Sequence, residues 1–143
     1  MKLTDQVYLV GSGNYGISHD LDSNIYVVDC GGELVMIDAG GGCDIDSLIR
    51  NMEHHGLEPQ NLKKILLTHS HSDHAAGAAE LQERLHAEIC MGTEEADIVE
   101  SGTEAELGLD LAKEVGFYPP DYRFKHCRVS LRLKNGEEIR CGD

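Results

Sequence analysis

The stretch LLTHSHSDHAAG, Leu66 to Gly77, sets His69, His71, Asp73 and His74 within six residues of one another. Lys64 to Thr68 before them is a short β-rich run that reads as a buried strand, so the cluster begins where a strand ends. His69 and His71, two residues apart in extended backbone, project to the same side. Both imidazoles can therefore reach one ion at ordinary metal–nitrogen distances. After Ser70 the chain must turn, which carries Asp73 and His74 to the N-terminal end of the next helix. There they address a neighbouring point, close enough for a second ion. Imidazole and carboxylate without sulfur suit zinc, and also iron or manganese. A helix N-terminus is itself positive, so the side chains must supply the attraction. A merely His-rich surface loop would not follow a buried strand with this spacing, and short His-rich tracts usually signal metal. Ser70 and Ser72 beside histidines could suggest a nucleophile, but the members of a triad meet in space from separate segments.

Outward from the cluster, strands and helices alternate. Gln6 to Val10 reads as a first strand. Asn24 to Cys30 and Glu33 to Asp38 read as two more, joined by a tight turn at Gly31-Gly32 where both glycines need positive φ. Asp44 opens a helix whose apolar residues Ile45, Leu48, Ile49 and Met52 keep helical spacing, and Gly56 stops it. A second helix is expected from about Ala75 to His86, then a strand over Ala87 to Met91. Thr103 and Glu106 form a capping box for a helix ending near Gly116. Arg128 to Leu133 alternates in a closing hairpin that turns at Asn135-Gly136. The class is mixed α/β or α+β in a single domain over residues 1–143.

Composition narrows the function classes. No run of 18 or more apolar residues is present, which excludes a membrane-spanning helix by sequence. The five cysteines, at 30, 43, 90, 127 and 141, include no C-x-x-C pair; this points to reduced thiols in a cytoplasmic protein rather than a disulfide framework. Net charge is −14, with twelve acidic residues between Glu80 and Asp121 against Arg84 and Lys113 alone. That block reads as solvated helix faces, and the chain would repel a phosphate backbone, so nucleic acid is excluded as a partner. GSGNYG, Gly11 to Gly16, matches a dinucleotide fingerprint but runs into the polar ISHDLDSNIY rather than a helix, so a mobile loop is the better reading. His54, His55 and His86 sit at helix C-termini, where positive charge is favourable, and need no ligand role.

THSHSDHAAG resembles the His-x-His-x-Asp-His signature of the metallo-β-lactamase superfamily. NIYVVDCGGELVMIDAG looks like that family's strand pair ending in an Asp-x-Gly turn, and the match covers essentially the whole chain in element order. The resemblance implies an α+β fold, the αββα sandwich, of which this chain carries the N-terminal half: one mixed sheet plus flanking helices. It implies that His69 and His71 bind a first metal and Asp73 and His74 a second, two zinc ions in the complete site. It matches Asp38 to the aspartate that steadies the ligand loop, although Asp38 can also be read simply as a strand-end residue. His19 or Tyr15 would border the substrate. The family's Gly-Gly after the motif is Ala76-Gly77 here, and its remaining ligands come from a C-terminal half that residues 1–143 do not contain. His126 precedes a hairpin that looks structural. The missing half of a longer chain, or a partner in a homo-oligomer, is therefore expected to complete the site and cover the sheet.

The function so implied is a metal-dependent hydrolase, similar to glyoxalase II, acting on an ester, thioester or lactone of a small-molecule substrate. Metal-bound hydroxide attacks the carbonyl, and Asp73 both binds metal and orients the nucleophile. Two alternatives stay open: a mononuclear iron persulfide dioxygenase, in which Asp73 and His74 hold no second metal, and a non-catalytic assembly module with an incomplete site.

Overall fold

The computed structural model describes residues 1–142. Six strands form one mixed sheet in chain order: β1 (Val7–Gly11), β2 (Ile25–Asp29), β3 (Leu34–Ile37), β4 (Leu62–Leu67), β5 (Glu88–Gly92) and β6 (Leu131–Leu133). β1, β2 and β3 run antiparallel, whereas β3, β4, β5 and β6 are mutually parallel. The β2–β3 turn is the expected one: Gly31 and Gly32 hold φ of +84° and +117°, and the Cys30 N–H donates to the Glu33 carbonyl at 2.9 Å.

Parallel neighbours need crossovers, and helices supply them. α1 (Ile45–His54) joins β3 to β4, capped by the Asp44 carboxylate, which accepts the Ser47 N–H at 3.1 Å. α2 (Ser72–Ala75) and α3 (Ala78–Leu85) join β4 to β5; α4 (Thr93–Ser101) and α5 (Leu109–Glu114) lie between β5 and β6. Cross-strand register aligns Val27, Met36, Ile65 and Ile89 in one row, and all four are fully buried. Ile45, Leu48 and Met52 of α1, Leu81 and Leu85 of α3, and Ala96 and Val99 of α4 join that row in a single core. Full burial of each large aliphatic side chain contributes about 1.5–3 kcal/mol. The next row, Tyr26, Ile37, Leu66 and Cys90, points to the opposite face, and there Tyr26, Ile37 and Leu66 are only half-buried.

Three expectations are corrected. The helix expected over Ala75 to His86 is broken at Ala76-Gly77, because the chain there presses on the β3–α1 loop. The Gly77 N–H donates to the Gly40 carbonyl at 3.1 Å, and a Cβ on Gly77 would stand 2.1 Å from the Ala39 carbonyl oxygen. Asp73 and His74 therefore sit inside the separate turn α2, not at the N-terminus of the long helix. The Thr103–Glu106 box does form, with the Thr103 N–H on the Glu106 carboxylate at 2.8 Å and the Glu106 N–H on the Thr103 hydroxyl at 3.3 Å. It closes a turn, however, and α5 starts only at Leu109, after Gly108 at φ +66°. α4, within the acidic block, is a helix with a largely solvated surface, as expected there, and buries only Ala96 and Val99. Finally, Leu131 to Leu133 forms no hairpin with the residues C-terminal to it. The turn at Asn135-Gly136 exists, with the Glu137 N–H on the Lys134 carbonyl at 3.1 Å, yet β6 takes its hydrogen bonds from β5 and extends the parallel run. Among the described residues no helix is long and apolar enough to cross a membrane, and all five cysteines are free thiols.

Candidate metal centre

Parallel pairing sets the C-terminal ends of β3 and β4 side by side, with Ile37 opposite Leu66. The next residues in each strand are then neighbours, although some thirty positions apart in sequence. Asp38 is 4% exposed and adopts φ +62°, a left-handed conformation that Asp tolerates better than most residues. The bend aims its carboxylate at Thr68, whose N–H donates to Oδ1 at 2.8 Å and whose hydroxyl donates to Oδ2 at 2.9 Å. His74 Nδ1 lies 2.8 Å from the same Oδ2.

These contacts decide where the imidazole protons are. An ionised carboxylate only accepts, so the neutral His74 ring carries its proton on Nδ1 and keeps its lone pair on Nε2. The Thr68 hydroxyl proton is already committed to Asp38. Thr68 Oγ1 therefore accepts from His69 Nδ1, 3.0 Å away, and the His69 Nε2 lone pair is free as well. Asp38 thus sets one tautomer directly and a second through Thr68. It also holds the His74 pKa above the ordinary value, the hydrogen bond being the largest cause. The His69 pKa is lowered, first by burial and then by the neighbouring imidazoles of His74 and His71. A neutral imidazole is the form that binds metal.

The donors cluster tightly. The His69 ring centre is 4.7 Å from that of His71 and 4.1 Å from that of His74. His74 Nε2 stands 3.4 Å from Asp73 Oδ2. Two donors each about 2.1 Å from a shared ion at a tetrahedral angle would stand about 3.4 Å apart, so this pair fits one ion. Among the described residues no three His, Cys, Asp or Glu side chains are arranged to hold one metal. What is present is one close nitrogen–oxygen pair, His74 Nε2 and Asp73 Oδ2, with the His69 and His71 rings beside it.

The backbone around the donors is held from several directions. The Ala39 N–H donates to the His74 carbonyl at 2.7 Å, Ser23 to Asp73 at 3.1 Å, and Ser72 to Leu107 at 3.0 Å. Glu95 of α4 accepts the Ser70 N–H at 2.6 Å. Behind the turn, the Tyr118 and Tyr122 hydroxyls both donate to the Gly41 carbonyl, at 3.4 and 3.1 Å; burial pushes the Tyr122 phenol up to about 12. Reading the sequence missed Thr68, Glu95 and the two tyrosines. Thr68 stood inside the motif, but its partner Asp38 is reached only through strand pairing, and nothing in the local spacing announces Glu95.

Other singled-out residues lie apart from the donors. No helix opens after Gly16, so the dinucleotide reading lacks its phosphate-binding element. The loop is instead tied internally, Ser18 donating to Asp22 at 2.6 Å and Asp22 accepting the Gly41 N–H at 2.8 Å. Tyr15 and His19 are exposed on it. His55 contacts the N-terminal amine at 2.7 Å, His86 ends α3 at φ +58°, and His126 faces the Val99 carbonyl at 2.9 Å. Beside the donors, the β1–β2 loop and the segment around α5 wall a cleft of about 660 Å³ on which His71 and Asp73 open.

Comparison with known proteins agrees with this arrangement. The sequence model of the metallo-beta-lactamase superfamily matches residues 20–131. Lactamase-like protein adaB of Aspergillus niger is 34% identical over 82 residues, 56% of this chain and 25% of that protein. Ribonuclease Z of Pyrococcus furiosus is 36% identical over 76 residues, 52% and 22% respectively. The atrochrysone carboxyl ACP thioesterase of Passalora fulva is 35% identical over 82 residues, 56% and 24%. BJP-1, a subclass B3 metallo-beta-lactamase of Bradyrhizobium japonicum, superposes with a TM-score of 0.78 at 24% identity, over 100% of this chain and 48% of that one. GOB-18 of Elizabethkingia meningoseptica gives 0.78 at 20%, over 100% and 47%. The chain thus spans about a quarter of the curated relatives it matches and about half of the solved structures. A mixed sheet with helices on one face, a His-rich turn at its strand ends and a family match over residues 20–131 lead to one assignment: the chain belongs to the metallo-beta-lactamase superfamily, a family of hydrolases.

Proposed function

We propose that the protein is a metal-dependent hydrolase acting on the carbonyl of an ester, thioester or lactone. His69 and His71 would hold one zinc ion, and Asp73 and His74 a second. The observation that carries this reading is the hydrogen-bond chain centred on Asp38, which engages Nδ1 of His74 directly and Nδ1 of His69 through Thr68, within one cluster of candidate donors. Bound divalent ions supply an acidified water and a positive charge for the carbonyl oxygen. The chain's own part is positioning. Asp38 fixes the His74 ring and, through Thr68, the His69 ring. Asp73, half-exposed at the cleft, would hold metal and orient the water that such an ion acidifies. The remaining donors are contributed by a C-terminal half or by a second copy of the protein, which also covers the Tyr26–Leu66 row of the sheet. A small-molecule substrate is favoured over nucleic acid, since net charge is −14 and a phosphate backbone would be repelled. The free thiols support a cytoplasmic setting.

Metal analysis of the full-length protein tests the reading. Two zinc-like ions per chain, reduced in His69→Ala and in His74→Ala, with thioester turnover lost in both, are the expected results. A single iron unaffected by His74→Ala would overturn it in favour of the mononuclear dioxygenase.

A further inference from the structure

We propose that the cleft beside His71 and Asp73 binds an apolar, uncharged group of the substrate, with Leu111, Val115 and Phe117 as its specificity-determining wall. This rests on the hydrolase reading above and names the substrate class it leaves open. The cleft's volume of about 660 Å³ falls within the roughly 300–1,000 Å³ of small-molecule sites. Its reacting end is fixed by His71 and Asp73, which line it.

The opposite wall is unusual in composition. Leu111 and Val115 are four residues apart and share one face of the α5 turn, and Phe117 lies just beyond. They are 61%, 59% and 67% exposed. Single exposed apolar residues need no explanation, whereas a contiguous group lining a concavity marks a binding surface. Elsewhere among the described residues, exposed large apolar side chains stand on the N-terminal segment, on the β1–β2 loop and on β6, so the concentration at this cleft is specific.

Charge defines the occupant further. Asp20, Asp22 and Asp73 line the cleft, and among the described residues that line it there is no Lys or Arg. A carboxylate or phosphate on the far side of the substrate would meet like charge from these three carboxylates, at a desolvation cost. An alkyl or aryl group meets Leu111, Val115 and Phe117 with no such penalty. The wall therefore selects a neutral apolar arm on the substrate and rejects an anionic one.

The test uses the full-length, metal-loaded protein and two amides that differ only at the far end: N-octylacetamide and 8-acetamidooctanoate. Calorimetry should find the neutral amide bound about tenfold or more tighter, the anion being penalised by like charge. Phe117→Ser should weaken the neutral amide about fivefold, in the range of lost apolar pocket contacts. Leu111→Lys should bring the anion to within about threefold of the neutral compound by supplying the missing cation. Equal binding of the two amides to the wild type, or unchanged affinities in both variants, would overturn the proposal. Turnover of 4-nitrophenyl octanoate is read in parallel. Selective amide binding without turnover removes the hydrolase reading alone, while turnover without selectivity removes only the proposal made here.

Discussion

On one side of the cleft, Asp73 and His74 stand on α2, a four-residue turn tied by backbone hydrogen bonds to the β3–α1 loop, the β1–β2 loop and Leu107. On the other side, Leu111 and Val115 stand on a turn of helix backed by a small separate cluster of Leu107, Leu109 and Tyr118, with Lys113 paired to Glu104 at 2.6 Å. The first wall carries the proposed ligands, whose lone pairs would have to converge within fractions of an ångström. The second carries side chains that need only be apolar and present. The first wall is held by backbone bonds to three other segments, whereas the second is held by its own turns and its own small apolar cluster.

Glycine substitutions probe the contrast most strongly. Gly77→Ala drives a Cβ into the Ala39 carbonyl, 2.1 Å away, and is expected to cost about 3 kcal/mol, the upper end of overpacking effects. Gly108→Ala across the cleft adds a Cβ at an ordinary 3.5 Å from the His71 ring and carries only its left-handed backbone penalty, about 1–2 kcal/mol. Denaturant unfolding of the two variants measures both, and a larger loss at Gly108 would invert the comparison. Next comes Asp38→Asn. Its amide can satisfy the Thr68 N–H but presents an N–H towards His74 Nδ1, which forces the proton onto Nε2 and removes the lone pair. Metal affinity should fall about 10–100-fold with the fold retained, read by competition with a chelating dye and by imidazole nitrogen shifts.

Thr68→Val cuts the relay to His69 alone. About a tenfold weaker metal affinity is expected, the low end of such effects, with recovery in Thr68→Ser; equal affinity in the valine variant would show that His69 orients itself. Glu106→Gln, in the turn that leads into α5, has the smallest effect. The Glu106 carboxyl is held below its ordinary 4.5 by the Thr103 N–H and hydroxyl. A lowered folded value means stability that is present above about 4.5 and lost as pH falls through the folded value. The wild type should therefore exceed the glutamine variant slightly at neutral pH, and the gap should close in acid, as thermal unfolding against pH will report.

How much of this was legible in the sequence depended on how far apart the interacting groups lie. The strand before the His-rich turn, the Gly31-Gly32 turn and the Asp44-capped helix all rest on spacing within one segment, and the structure has them. The break at Gly77 does not, because its cause is the Ala39 carbonyl pressed against it. Nor does the role of Thr68, which exists only once parallel pairing brings β3 and β4 together. β6 alternates as a hairpin strand would, but periodicity cannot name its partner, and β5 offered a better one. The acidic block reads as solvated helix faces and α4 is one, but with only two buried side chains its bounds were not marked by an apolar stripe.

Asp38 has a last consequence, for the range of sequences this fold can explore. A backbone φ of +62° admits Gly, Asn and Asp at low cost. Accepting hydrogen bonds from the Thr68 N–H, the Thr68 hydroxyl and His74 with no donor of its own admits only Asp and Glu. The two sets share a single member. A descendant that kept the metal would have no neutral substitution to drift through at this position, whereas one that abandoned it could move to Asn or Gly at once.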